Sequence, residues 1–458
     1  MKKAELLFFI IGVCLSVLMF KTTMIHTDNT QLMDKVVKIQ ETGVWTHHGN
    51  AATKMGSLPG SFLTFVTAAP MMLWFNPYAA CAVILFFHIM SYFILRKICV
   101  DLIANFNPLY LSVLYWLNPW RIEQSELYNP GYLFFFGALF LFCLYRMHES
   151  KIKNKGSFFY SLLLVVTLGF CMQVHFSVLI LGVAALYFYL KKAVKVNYLG
   201  VFFGLLIVAG SLVPWYLSLQ HGVSPNIKTD TSTFLGKNFI LVYPVVKAIV
   251  YVFRMGSLYC GRHIFSEINF DWAASAPLIQ ISLSFIFHLM KWVLAALSLI
   301  LSFKYFGSWL SRNFNLNSGS FFAKNRMFLF SPSCEESFSD LLVNAIFIGV
   351  FVSASLSPVE FNHWHFVVCF PVVIFLILFN FKTYLEWPEW LKRRLLKISF
   401  INDQKINLRE ACVINFLAGI FIVWGIFMSL GSRTHSINND YARDFQKHYY
   451  PVTSSDSN

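Results

Sequence analysis

Apolar residues along this chain are gathered into long runs separated by short polar stretches. Read as helices, the runs fall near 5–20, 78–95, 107–119, 130–146, 157–173, 175–190, 198–218, 278–303, 338–357, 362–381 and 411–430. Runs of this length with few charges are the signature of membrane-crossing helices. The pattern therefore predicts an all-α polytopic membrane protein with about 11 transmembrane helices. The segment 59–75 is equally apolar but contains Pro59, Gly60 and Pro70. It is placed as an interfacial or re-entrant helix on the outer side, because a crossing there would reverse the side of every later loop.

Charge tests that choice, since short cytoplasmic loops carry an excess of Lys and Arg. With the N-terminus inside, the cytoplasmic side collects 22 Lys and Arg against 10 acids, and the outer side 13 against 12, with Lys291 left inside a span. A crossing at 59–75 would move Arg96-Lys97, the Lys151 to Lys155 loop and Lys392-Arg393-Arg394 outside. Met1-Lys2-Lys3 and the run to Phe20 resemble a signal peptide, but Phe20-Lys21-Thr22-Thr23 offers no small-x-small cleavage site. The first helix is expected to be retained.

Composition agrees: 57% hydrophobic and 13% charged residues, with a mean hydropathy of +0.60. The net charge of +14 is distributed between spans rather than on a soluble module, so it indicates orientation in a bilayer and not nucleic-acid binding. Of the nine cysteines only Cys260 is clearly outside, and no CxxC occurs. Neither a zinc ribbon nor a disulfide framework is indicated. No Walker motif, GxGxxG or internal repeat is present, which counts against an ATP-driven pump or a dinucleotide enzyme. Residues 1–430 read as one transmembrane domain, with a first outer loop at 21–77, a large outer loop at 219–277, and a short outer tail at 431–458.

The unusual sequence lies outside. Asp28 follows the first helix closely. The loop 120–129 carries Arg121, Glu123 and Glu126 ahead of Asn129-Pro130. Gln173 and His175 end one span, and His363 and His365 begin another. Ionisable groups at the edge of apolar spans are costly unless they face a bundle interior or an aqueous cavity. Their arrival at one depth therefore predicts a shared cavity. Lys54, Arg254 and Arg262, with Lys237 and Lys247, supply cations around an amphipathic segment, Phe239 to Met255. Arg and Lys near an apolar boundary suit a lipid phosphate. A carboxylate beside such cations defines a reaction class, in which the cations hold a phosphate leaving group and the carboxylate deprotonates an acceptor hydroxyl.

In this order of features the chain resembles the C-type glycosyltransferase superfamily (GT-C), which includes protein O-mannosyltransferases and the lipid A aminoarabinose transferase. The likeness covers roughly residues 1–381. It is carried by Asp28 after helix 1, the first loop closing on Ser57-Leu58-Pro59-Gly60, the acids before Asn129-Pro130, Gln173-Val174-His175-Phe176-Ser177, and His363-Trp364-His365 followed by Pro371. The family often has Asp-Glu where this chain has Asp28-Asn29.

The resemblance implies that Asp28 is the catalytic base, that Glu126 or Glu123 is the second-loop acid, and that Lys54 with Arg254 or Arg262 contacts the donor phosphate. Glu123, Gln173, His175, His363 and His365 would line the substrate cavity. Some members hold a divalent metal near the first loop, for which His47-His48 is the candidate ligand pair here. The implied partners are a polyprenyl (undecaprenyl) phosphate sugar, a lipid-linked or glycan acceptor, and membrane lipid. The implied place is a bacterial inner membrane, with the N-terminus cytoplasmic and the active site periplasmic. Direct displacement would invert the anomeric carbon. A retaining path would use Glu126 as nucleophile. The rival readings are an O-antigen or capsule polymerase or ligase, and a lipid or glycan flippase or transporter, which tends to keep its ionisable residues near mid-membrane.

Overall fold

Three Asn-Pro pairs set helix starts in this chain. Asn76, Asn107 and Asn118 each accept a hydrogen bond from the backbone N–H two residues on, and a proline occupies the first helical position in each case. The Asn side chain satisfies an orphan donor and the proline has none to lose. The same chemistry that starts one helix ends its predecessor, because Pro119 cannot continue the ladder.

The computed structural model describes residues 3–21, 27–52, 56–104, 106–220, 242–254, 270, 273–314, 337–357, 361–379 and 408–430. The described chain is helical apart from one two-residue antiparallel pair. Its elements are α1 (Lys3–Lys21), α2 (Thr27–Thr42), β1 (Ala51–Ala52), β2 (Gly56–Ser57), α3 (Phe62–Leu73), α4 (Pro77–Leu102), α5 (Pro108–Trp116), α6 (Pro119–Glu123) and α7 (Leu133–Ile152). They continue with α8 (Phe158–Val174), α9 (Val178–Leu190), α10 (Tyr198–Gln220), α11 (Val242–Phe253), α12 (Pro277–Phe314), α13 (Phe338–Leu356), α14 (His363–Phe366), α15 (Phe370–Phe379) and α16 (Leu408–Leu430). A 3-10 turn at Asn129–Tyr132 leads into α7.

Six of the described helices are long and apolar enough, by length and composition, to cross a membrane: Lys3–Phe20, Pro77–Leu102, Asn129–Ile152, Tyr198–Leu219, Pro277–Gly307 and Phe338–Leu356. Four shorter apolar helices, Phe158–Val174, Val178–Leu190, His363–Phe379 and Val413–Met428, coincide with further expected spans. The expected span at 107–119 is instead the nine-residue α5, stopped by Asn118-Pro119. A helix needs about 20 residues to cross the hydrocarbon core, so α5 alone is too short. Many large apolar side chains point outward, among them Phe202, Phe203, Leu205 and Leu206 of α10 and Phe285, Trp292 and Phe303 of α12. An outside of this kind is consistent with a helical membrane protein.

Contacts fix which ends lie level. Arg96 Nη2, near the end of α4, donates to Glu5 Oε2 at the start of α1 over 3.3 Å. At the other extremity Phe20 stacks on Tyr78, with ring centroids 6.3 Å apart. Helices α1 and α4 are therefore antiparallel, and everything between them, α3 included, leaves from and returns to one end of the bundle. Helix α3, twelve residues long with Pro70 inside it, is too short to cross alone. That end also receives the 118–132 segment, the α8–α9 corner and α14. The opposite end holds the α7–α8 corner, where Arg146 Nε donates to Tyr160 Oη at 3.1 Å. His148 Nδ1 lies 2.7 Å from the Ala193 carbonyl at that same end.

Helices α8 and α10 run parallel in close contact: a Cβ on Gly200 would meet the Phe158 carbonyl, and one on Gly204 would lie 2.8 Å from Val165 Cβ. Small residues let backbones approach where the hydrophobic effect between helices is weak. Gly349 does the same for α13, where a Cβ would clash with the Ile180 carbonyl of α9.

Candidate functional site

The first outer loop folds into a unit of its own. Helix α2 was not foreseen; its buried side chains Asn29, Leu32, Met33, Val36 and Ile39 recur at helical spacing on one face. Gly43, at φ +68°, ends it in the left-handed conformation that suits a helix C-terminus. Its N–H bonds the Ile39 carbonyl at 2.8 Å. Asp28 occupies the first turn of α2, where the helix dipole favours a negative charge.

A hairpin then returns the chain to that turn. Gly49 N–H bonds Leu58 O and Leu58 N–H bonds Asn50 O, both at 2.9 Å. Asn50 Nδ2 donates to the Asp28 carbonyl at 2.9 Å. Lys35 Nζ donates to Asn50 Oδ1 and to His48 O, each at 3.3 Å. Thr64 Oγ1 of α3 donates to the same His48 carbonyl at 3.1 Å. Lys35 is thus a buried cation bonded to neutral oxygens, and burial pulls its ammonium down to about 7. His48 is also pushed below the usual imidazole range, by burial first and further by the charges of Lys35, Lys38 and His47, against the opposing bond to Gly49.

The second loop is built on Arg121. This side chain is fully buried, and its guanidinium donates to Trp116 O, Gly12 O and Ser16 Oγ over 2.7–3.1 Å. It also lies over the Trp116 ring at 5.1 Å. Its donors are spent on joining α1 to α5, so it serves the fold. Glu123 and Glu126 are both buried beside it in sequence. Tyr128 is where the two loops meet: burial first, then the carboxylates of Asp28 and Glu126, hold its phenol well above the usual range. Asp28 and Glu126 lie 98 residues apart in sequence, and the fold brings both within electrostatic reach of one hydroxyl.

The last turn of α8 joins this acidic half to a histidine half. Gln173 does not line a cavity by its amide: Oε1 accepts from Phe62 N–H at 3.3 Å and Nε2 donates to Ser211 Oγ at 2.7 Å. It clamps α3 to α8 and α10. Gly60, at φ +80°, passes so close to Gln173 that a Cβ would clash with the amide. Asn129 Nδ2 donates to Val174 O at 3.2 Å. Immediately beyond, His175 meets His365, with centroids 5.2 Å apart and planes at 64°. His363 is buried next to Trp364.

Arg254 sits at the end of α11, over the Tyr251 ring at 5.9 Å. Tyr251 packs on Phe361 and Phe366, and Phe366 stacks on Trp120. Helix α11 is the expected amphipathic segment, and it delivers Arg254 to the same end of the bundle as His365. Lys54 and Arg262 lie outside the described residues, as do most of the 219–277 loop and the tail. Among the described residues no three His, Cys, Asp or Glu side chains form a group that could hold a metal ion. His48 lies within electrostatic reach of Lys35, Lys38 and His47.

Lys35, Asn50 and Tyr128 carry much of this geometry and were not singled out in the sequence. A lysine on the apolar face of α2 is the one signal that could have found Lys35. In comparison with known proteins, the chain matches no family model, no curated protein and no solved structure.

Proposed function

We propose that this protein is an integral-membrane glycosyltransferase, moving a sugar from a polyprenyl phosphate carrier to a lipid-linked or glycan acceptor. The site lies on the periplasmic face of a bacterial inner membrane. The observation that carries the reading is the meeting of Asp28 and Glu126 at Tyr128, at the same end of the bundle as Arg254 and the paired histidines. Two carboxylates within electrostatic reach of one phenol support proton abstraction from a hydroxyl. A cation delivered to the same end supports charge developing on a leaving phosphate.

In the reaction, an acceptor hydroxyl oxygen bonds to the anomeric carbon while the bond from that carbon to the phosphate oxygen breaks. The hydroxyl proton passes to Asp28. The electron pair leaves with polyprenyl phosphate, which Arg254, Lys54 and Arg262 bind. One displacement inverts the anomeric configuration. Glu126 shares the site and tunes Asp28. The carrier reading draws less support. Two described mid-span ionisable groups are engaged in packing, His88 Nε2 on Gly131 O at 3.0 Å and Lys291 over Phe287 at 5.4 Å.

The test is incubation of the purified full-length protein in liposomes with radiolabelled undecaprenyl phosphate sugars and an envelope glycolipid extract. Release of undecaprenyl phosphate with label passing to the extract is the expected result. Intact donor across hexoses and pentoses would overturn the reading.

A further inference from the structure

At the end of the bundle away from Asp28, two helices stop in the same way. Helix α7 is followed by Asn154 at φ 47° and α9 by Lys192 at φ 52°, the left-handed turn that closes a helix. In each corner the next N–H reaches back five residues, Lys155 to Ser150 O and Ala193 to Phe188 O, both at 2.9 Å. Gly or Asn is the usual residue for that turn, so Lys192 keeps a cation where the backbone would favour glycine.

The two corners are bonded to each other. Lys195 N–H donates to Met147 O at 3.1 Å, and Lys195 Nζ to Asn154 Oδ1 at 2.8 Å. Lys151 Nζ donates to Lys192 O, and His148 Nδ1 lies 2.7 Å from Ala193 O. Two loops about 40 residues apart in sequence thus form one surface. Its charge is one-sided: the corners hold Arg146, Lys151, Lys153, Lys155, Lys191, Lys192 and Lys195 against the single acid Glu149. That acid is paired with Arg146 and Lys153, each at 2.6 Å. The acids bordering this end are engaged as well, Asp101 with Lys97 at 2.9 Å and Asp340 with Ser337 Oγ at 2.7 Å. Lys151, Lys153, Lys155 and Lys192 are exposed, and the side chains of Lys155 and Lys192 take no part in the bonds that join the corners.

The cations are bordered by an exposed apolar rim, Ile152, Phe158, Phe159, Tyr198 and Leu199, where α8 and α10 begin. Helix α10 continues from this rim as an apolar helix long enough to cross a membrane, with most of its surface outward. A free anion needs the lysines alone, and an acidic protein would leave the rim in water. A phospholipid meets both parts, its phosphate on the ammonium groups and its acyl chains on the rim and the lysine stems.

We propose that the joined α7–α8 and α9–α10 corners form a docking surface for anionic phospholipid headgroups. This surface is independent of the glycosyl-transfer reading, since it lies at the other end of the bundle from Asp28.

The test is native mass spectrometry of the full-length protein in detergent, titrated with dioleoyl phosphatidylglycerol or dioleoyl phosphatidylcholine, which differ in headgroup only. Wild type should bind phosphatidylglycerol in preference. Lys155→Gln and Lys192→Gln should each weaken that binding by about fivefold, and the double variant by about 25-fold. Arginine at both positions, which keeps the charge, should restore it. Lys38→Gln, which removes an exposed cation of α2 at the other end, should leave it unchanged. Equal affinity for the two lipids, or an equal loss in Lys38→Gln, would overturn the proposal. Displacement of the lipid by an equal concentration of inorganic phosphate would identify a site for free anions and overturn it too. So would capture of a polyglutamate peptide without preference between the lipids, which would point to an acidic protein partner.

Discussion

At the residue scale the site depends on buried polar groups that are satisfied by backbone. Lys35 is the clearest case, because its ammonium titrates near 7 in the folded protein and near 10.5 when unfolded. Between those values the unfolded chain binds more protons, so this group makes stability rise with pH from about 7 to about 10.5. Below about 7 both states hold the proton and the slope vanishes. Thermal unfolding followed from pH 6 to 10 should show this rise, and Lys35→Met should remove it. An unchanged slope in the variant would mean that another group is responsible. Arg121 tests the fold instead. Its replacement by Ala strands buried carbonyls on α1 and α5, and should lower stability by about 2–4 kcal/mol, read as a lower midpoint and a lower folded yield in detergent. Of these residues, Asp28, Glu126 and His365 were legible in the sequence because ionisable groups stand out beside apolar runs. Asn50 was not: an amide in a loop gives no sign that the chain will fold back onto the Asp28 carbonyl.

At the element scale, helix starts and interhelical contacts have separate causes. Asn-Pro pairs set the starts and are readable locally, yet the run at 107–119 looks continuous in hydropathy although Pro119 ends it. Hydropathy averages over a window and a proline acts at one bond. The amphipathic α2 was hidden for the opposite reason, since its buried face is too short and too mixed with Lys, Asn and Thr to raise the mean. Contacts between helices are set by small residues. Gly204→Val should push α8 from α10 and cost about 1–3 kcal/mol by overpacking. Gly210→Ala, where a Cβ meets nothing within 4 Å, should leave stability unchanged or slightly raised. Thermal melts of the two variants side by side check this; equal stability of the two would show that the close approach at Gly204 does not hold α8 against α10.

At the scale of the whole molecule, the level contacts Glu5–Arg96 and Phe20–Tyr78 place the first loop, the 118–132 segment and the α8–α9 corner at one end, and the Lys151 to Lys155 turn at the other. The charge count predicts the side that each end takes. A membrane-impermeant maleimide applied to intact cells should therefore label Val44→Cys and spare Lys153→Cys, while inverted vesicles give the reverse. Labelling of both from one side would break the topology. The apolar runs made the helices readable from sequence, but the approach of Asp28 and Glu126 to Tyr128 could not be read, because it depends on how two loops 98 residues apart fold together. The account stands most directly on that meeting of acids. Its decisive measurement is donor turnover by wild type and Asp28→Asn at equal folded yield, with release of undecaprenyl phosphate as the readout. The account predicts a loss of at least about 10²-fold, as for removal of a general base; full activity in Asp28→Asn would contradict it.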